Sequence, residues 1–107
     1  MSFQAAGLNL WWTQNDGIGG HVFVGPLQIV QLREEMLAQG MAWTGDDGGC
    51  GIPLRSLEPG QTLTVAEIDE ALAAASPVPQ TLADLELWRD WLDFLEGAAG
   101  HGGIIAR

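Results

Sequence analysis

The chain has no lysine, no tyrosine and a single cysteine, and its positive charge is confined to four arginines. Each shortage excludes something. Nucleic-acid binding depends on lysine and arginine neutralising phosphates. Four scattered arginines against 14 acids leave a formal net charge of −10, which repels phosphate backbones and anionic lipid alike. Neither a nucleic acid nor a membrane is therefore expected as a partner. Cys50 has no second cysteine to pair with in the chain and fits a reducing compartment. The opening residues, MSFQAA, lack a basic n-region and an apolar h-region, so no signal peptide is expected. No apolar run reaches the roughly 18 residues a transmembrane helix needs. The expected location is cytoplasmic. Codon bias in a GC-rich genome also depletes lysine, so composition accounts for part of the charge balance, and acids keep small domains apart in solution.

What is present suits one folded unit. A length of 107 residues with 47% hydrophobic residues supports a single domain, residues 1–107, with one core. The apolar content is too high for wholesale disorder.

The expected fold class is α+β. Leu8 to Thr13 and His21 to Val24 read as strands, and Asp16-Gly17 between them is a hairpin signal. Short strands near 41–43 and 103–106 are candidates to join this N-terminal hairpin, with the tail alternatively a frayed end. Three helices are expected to pack on it. Pro26 suits the first position of a helix running to Gln39, with Gly40 as its stop. Leu32, Met36, Ile29, Leu37 and Val30 fall in one arc of that helix, with Arg33 inside the arc. Gln28, Gln31, Glu35 and Gln39 fall on the other side. Thr64 and Glu67 form a capping box for a second helix, whose Val65, Ile68, Ala71, Leu72 and Ala75 share a face. Ser76-Pro77-Val78-Pro79 ends it. Thr81 is expected to cap a third helix, with Asp84 reaching back to the cap, and that helix ends near Glu96 or Gly97.

The third helix carries the sharpest functional signal. Its apolar residues, Leu85, Leu87, Trp88, Trp91, Leu92, Phe94 and Leu95, span about 180° where a core-facing stripe needs nearer 100°. Either the helix is buried on two sides, or part of this face awaits a partner with Trp88 and Trp91 as anchors. The opposite face carries Glu86, Asp90, Asp93 and Glu96, with Arg89 among them. Such a row is either a solvated face or a carboxylate array that meets a basic partner, where charge raises association rate and specificity.

Other features are weaker. Arg33 on an apolar arc needs water or an acid, with Asp46, Asp47 and Glu58 as candidates. Trp11 and Trp12 must point to opposite faces of a strand. The loop Asp46-Asp47-Gly48-Gly49-Cys50-Gly51 has glycines that permit close backbone approach to a ligand. Joined to Trp12 and His21 it forms an alternative ligand site: Trp12, His21, Asp46, Asp47 and Cys50. His21, Cys50 and His101 match no zinc spacing, and Gly17 to Gly20 lacks the lysine of a phosphate loop.

The reading that follows is a small acidic protein-interaction module, in its most concrete form an immunity- or antitoxin-like inhibitor of a basic effector. Its partner-binding residues are Glu86, Asp90, Asp93, Glu96, Trp88 and Trp91. No enzymatic activity, cofactor or metal is expected. The alternatives are a small accessory enzyme or ligand-binding domain at the Asp46–Cys50 loop, and a homodimer with the third helix as its seam.

Overall fold

The computed structural model describes residues 7–14, 20–44 and 49–106; the Asp16-Gly17 signal lies outside them. Alternating residues on either side of this stretch form the expected hairpin. Strand β1 (Leu8–Trp12) pairs antiparallel with β2 (His21–Val24), placing Leu8 opposite Val24 and Leu10 opposite Val22. Leu8, Leu10 and Val24 turn inward and are buried, while Asn9, Trp11, His21 and Phe23 occupy the other face.

The chain's last strand, β6 (Ile104–Ala106), lies against β1 on the side away from β2. It also pairs with the short β5 (Thr62–Leu63), so the four-stranded antiparallel sheet has the order β2-β1-β6-β5. Ile104 and Ala106 are 1% exposed, so the tail is a buried interior strand, and the frayed-end alternative does not hold. The strand expected near 41–43 exists as β3 (Ala42–Trp43), but it does not join the hairpin. It pairs in parallel with β4 (Ile52–Pro53) as a separate two-stranded sheet. The returning chain comes so close at Gly51 (φ +92°) that a side chain there would strike the carbonyl of Met41. A 3-10 turn, Leu54–Ser56, follows.

Helix α1 (Pro26–Ala38) starts at Pro26 as expected. Gly25 has no side chain to cap it, and Gln28 Oε1 accepts the Gly25 N–H instead, at 2.9 Å. Its end is a Schellman motif: Met41 N–H donates to Met36 O at 2.9 Å and Gly40 N–H to Leu37 O at 3.2 Å. Gly40 supplies the required positive φ of +76°. The buried face differs from the expected arc. Ile29, Leu32, Glu35 and Met36 are buried, whereas Val30 and Leu37 are 47% and 43% exposed. The helix is turned by about 60° relative to its apolar centroid, given 100° per residue. A carboxylate took the place of two aliphatic side chains because the structure offers it donors, described below.

Helix α2 (Val65–Ala74) carries the expected capping box, with Glu67 N–H donating to Thr64 Oγ1 and Thr64 N–H to Glu67 Oε1. Helix α3 (Leu85–Ala99) is capped by Asp84, whose carboxylate accepts the Leu87 N–H at 3.0 Å. Thr81 is not its cap; it is engaged elsewhere. The helix runs past the expected end, because Gly97 is needed within it: the Trp12 indole rests on that glycine, where even a methyl group would collide.

Candidate functional site

Helix α3 divides sharply. Trp88, Trp91, Phe94, Leu95 and Ala98 are buried. The Trp88 indole N–H donates to Ser76 O at 2.8 Å, and that of Trp91 to Met36 Sδ at 3.3 Å. With relative exposures of 0% and 2%, these tryptophans belong to the core. They are not available as anchors, which corrects their expected place among the partner-binding residues. Most of this wide apolar arc is accounted for by burial against α2 on one side and α1 and the sheet on the other, while Leu87 and Leu92 are half-buried and Leu85 is exposed. Glu86, Asp90, Asp93 and Glu96 all remain exposed on the opposite side.

Beside this row lies a groove of about 210 Å³ between β2, the start of α1 and α3. Val22 and Phe23 line it from the strand, and Leu87, Asp90, Trp91 and Phe94 from the helix. Its walls combine apolar side chains with the polar Gln28 and Asp90, and Asp90 belongs both to the groove and to the carboxylate row. Phe23, 57% exposed, lies over Gly7 at the sheet edge. Sequence periodicity on α3 marks Asp90, but nothing in it pointed to Phe23 or Leu87. Their contribution depends on three elements meeting that are distant in the chain.

Among the described residues the most heavily hydrogen-bonded side chain is Glu35, 0% exposed and placed among the solvent-facing residues of its helix by periodicity. Its Oε1 accepts from Thr81 N–H (2.6 Å), Thr81 Oγ1 (2.9 Å) and Leu82 N–H (2.8 Å). Its Oε2 accepts from Gln80 N–H (2.7 Å) and Gln39 Nε2 (2.8 Å). Burial, the largest single influence, pushes this carboxyl up. The hydrogen bonds from Gln80, Thr81, Gln39 and Leu82 together outweigh it and hold the group down at about 2, from 4.5. Glu35 is a structural clamp between α1 and the 80–82 loop, which sets where α3 begins.

Arg33 meets neither of the expected alternatives in simple form. Its guanidinium donates to Leu57 O at 3.3 Å and Leu54 O at 3.4 Å, tying α1 to the 3-10 turn. Its Nε is buried without a partner. Asp46 and Asp47 lie outside the described residues.

The alternative ligand site does not assemble from its described members. Trp12 faces inward, donating from Nε1 to Phe94 O at 3.1 Å and stacking on His101 at 4.4 Å. His21 is on the opposite face of the same hairpin, stacked on Trp11 at 3.9 Å and donating to Asn9 Oδ1 at 2.8 Å. The sheet therefore separates Trp12 from His21. Cys50 is a free, exposed thiol beside the two-stranded sheet. Among the described residues, no group of three or more His, Cys, Asp or Glu side chains is placed to hold a metal, and no helix is long and apolar enough to cross a membrane.

Comparison with protein-family models, with curated proteins and with solved structures finds no match to this chain.

Proposed function

We propose that this protein is a small acidic interaction module that docks a basic protein through the outer face of α3. The observation that carries the reading is the placement of Asp90. It sits in an exposed row with Glu86, Asp93 and Glu96 and also opens into the apolar groove beside β2. A docking face needs both terms. Carboxylates steer a cationic partner and exclude wrong ones, and an apolar recess supplies burial that charge alone does not. The concrete form we favour is an inhibitor of immunity or antitoxin type. Its carboxylate row would stand where the phosphates of a nucleic acid sit on a basic effector.

The test is a paired capture. Wild-type protein and Asp90→Lys/Asp93→Lys serve as baits in native cell extract, washed at low and then high salt, and the retained protein is then purified and its association rate measured with each bait. The reading expects a basic protein held by the wild type at low salt and weakened at high salt. It expects association about tenfold or more slower with the double variant, in line with electrostatic steering. Equal retention and equal salt dependence of both baits would overturn it.

A further inference from the structure

The groove ends on a sheet edge, and the ladder's phase shows what that edge offers. Trp12 N–H donates to Gly20 O at 2.8 Å, so these two residues form a hydrogen-bonded pair. Pairs alternate along an antiparallel ladder. Leu10 with Val22 and Leu8 with Val24 are therefore hydrogen-bonded pairs, and Trp11 with His21 and Asn9 with Phe23 are not. His21 and Phe23 thus turn their N–H and C=O groups away from β1, toward the outside of the sheet. Among the described residues no strand pairs with that outer edge of β2. Such a row of open backbone groups is a template for another strand.

Resting on the reading of the α3 face as a docking surface, we infer that the partner enters as an extended segment that adds to β2 as a fifth strand. Side chains of an added strand alternate between two faces. Those on one face drop into the groove between Val22 and the α3 residues Leu87, Trp91 and Phe94. Those on the other lie beside Phe23. A cationic side chain on the groove face reaches Asp90. The occupant is therefore a strand whose groove-face positions, every second residue, carry apolar side chains together with a lysine or arginine. Charge decides against a second copy of this chain. Two chains of net charge −10 paired edge to edge would bring two α3 carboxylate rows together, whereas a basic segment neutralises one.

The probe is a synthetic peptide of about six residues, the usual strand length, with valine, lysine and valine at every second position and threonine between them, so that one face carries both apolar and cationic side chains. A control peptide carries glutamate in place of lysine. Amide NMR of the protein during titration should show shifts at residues 21–24 and at Leu87 to Phe94, with slowed exchange of the His21 and Phe23 amides. Phe23→Pro removes the outward N–H without costing a ladder bond to β1, and its fixed φ suits an edge strand. Phe23→Ala removes the ring but keeps the N–H. Binding that survives Phe23→Ala, is lost in Phe23→Pro and falls about tenfold in Asp90→Lys establishes strand addition. Where Phe23→Pro fails to fold, amide protection in the wild type and the Phe23→Ala variant decides the matter.

Shifts confined to α3, with Phe23→Pro binding as well as Phe23→Ala, would overturn strand addition and leave the acidic docking face standing. Equal binding of the lysine and glutamate peptides, or no shift at about 1 mM peptide, weaker than recognition normally requires, would overturn both. A concentration-dependent doubling of mass, with the two amides already protected in the free protein, would mean that a second copy takes the edge and would also overturn the inference.

Discussion

Replacing Glu35 with glutamine tests whether an ionised buried carboxylate fixes the junction of α1 with the 80–82 loop. Donors converge on both of its oxygens: three on Oε1 and two on Oε2. A glutamine has the same shape but one acceptor oxygen, so its NH2 must face one of these sets of donors. Bonds to a charged acceptor contribute about 1.5–3 kcal/mol, and a buried donor left unmade costs about 1–3 kcal/mol. Glu35→Gln is therefore expected to destabilise the protein by about 2–4 kcal/mol at neutral pH.

The pH dependence gives an independent figure. The carboxyl is lowered from 4.5 to about 2 by folding, and each unit is worth about 1.4 kcal/mol, which gives about 3 kcal/mol. Gln80 and Thr81 above it are exposed, so solvent screening reduces this to about 2 kcal/mol. A group with a depressed folded value contributes its full stability above its unfolded value and loses it as pH falls through its folded value. The contribution is thus complete above pH 4.5 and disappears as pH falls toward about 2. Urea unfolding of both proteins between neutral pH and about pH 2 reads the difference, in which the other carboxylates cancel. The gap should stay constant down to about pH 4.5 and then shrink by about 2 kcal/mol. A gap below about 0.5 kcal/mol at neutral pH, the range of neutral surface changes, would refute the clamp, as would one that ignores pH.

Trp91→Ala removes a core indole and its contact with Met36, and should cost about 3–5 kcal/mol by thermal or urea unfolding. Gly97→Ala inverts the usual rule that alanine improves a helix by up to about 1 kcal/mol: a methyl must displace the Trp12 ring, so melting should fall by the equivalent of about 1–3 kcal/mol. Asp90→Lys/Asp93→Lys alters exposed positions only, and its unfolding free energy should match wild type within about 0.5 kcal/mol. A larger loss would mean these carboxylates serve the fold and not a partner. Cys50 should react with a thiol reagent in the folded protein as fast as in denaturant, since it is exposed.

What the sequence made legible was local. Pro26, Gly40 and the Thr64–Glu67 box mark helix ends because their chemistry lies within a few residues of each end. The hairpin followed from two strand-like segments on either side of a turn signal, and the α+β class from that hairpin and the helix signals, whereas the tail reads equally as a strand or a frayed end. Non-local chemistry was not legible. Thr81 has the signature of an N-cap, but Glu35, distant in sequence, recruits its N–H and hydroxyl, leaving Asp84 to cap α3. The face of α1 was misjudged for the same reason, because periodicity counts a carboxylate as polar wherever its donors lie. The strand at Ala42–Trp43 was found, but its partner was not, since a two-residue strand carries no register information. Trp88 and Trp91 were offered as anchors because periodicity gives the width of an apolar arc and not what covers it.

The division of α3 bears on how a docking face of this kind can work. Three indole N–H groups fix the helix from its inner side: Trp88 to Ser76 O, Trp91 to Met36 Sδ, and Trp12 to Phe94 O. Each joins α3 to a different part of the chain, so the helix is held against rotation as well as translation. A carboxylate on a helix fixed in this way is presented with little backbone entropy left to lose on binding, which lowers the ordering cost that otherwise offsets interface contacts. Trp12 and Trp88 therefore serve the acidic face without touching a partner, while Trp91 also forms part of the groove wall. Their loss would weaken binding through stability and presentation, whereas loss of Asp90 would act on the contact itself. The two effects separate on salt: a presentation defect changes affinity equally at all ionic strengths, while a charge defect flattens the salt dependence.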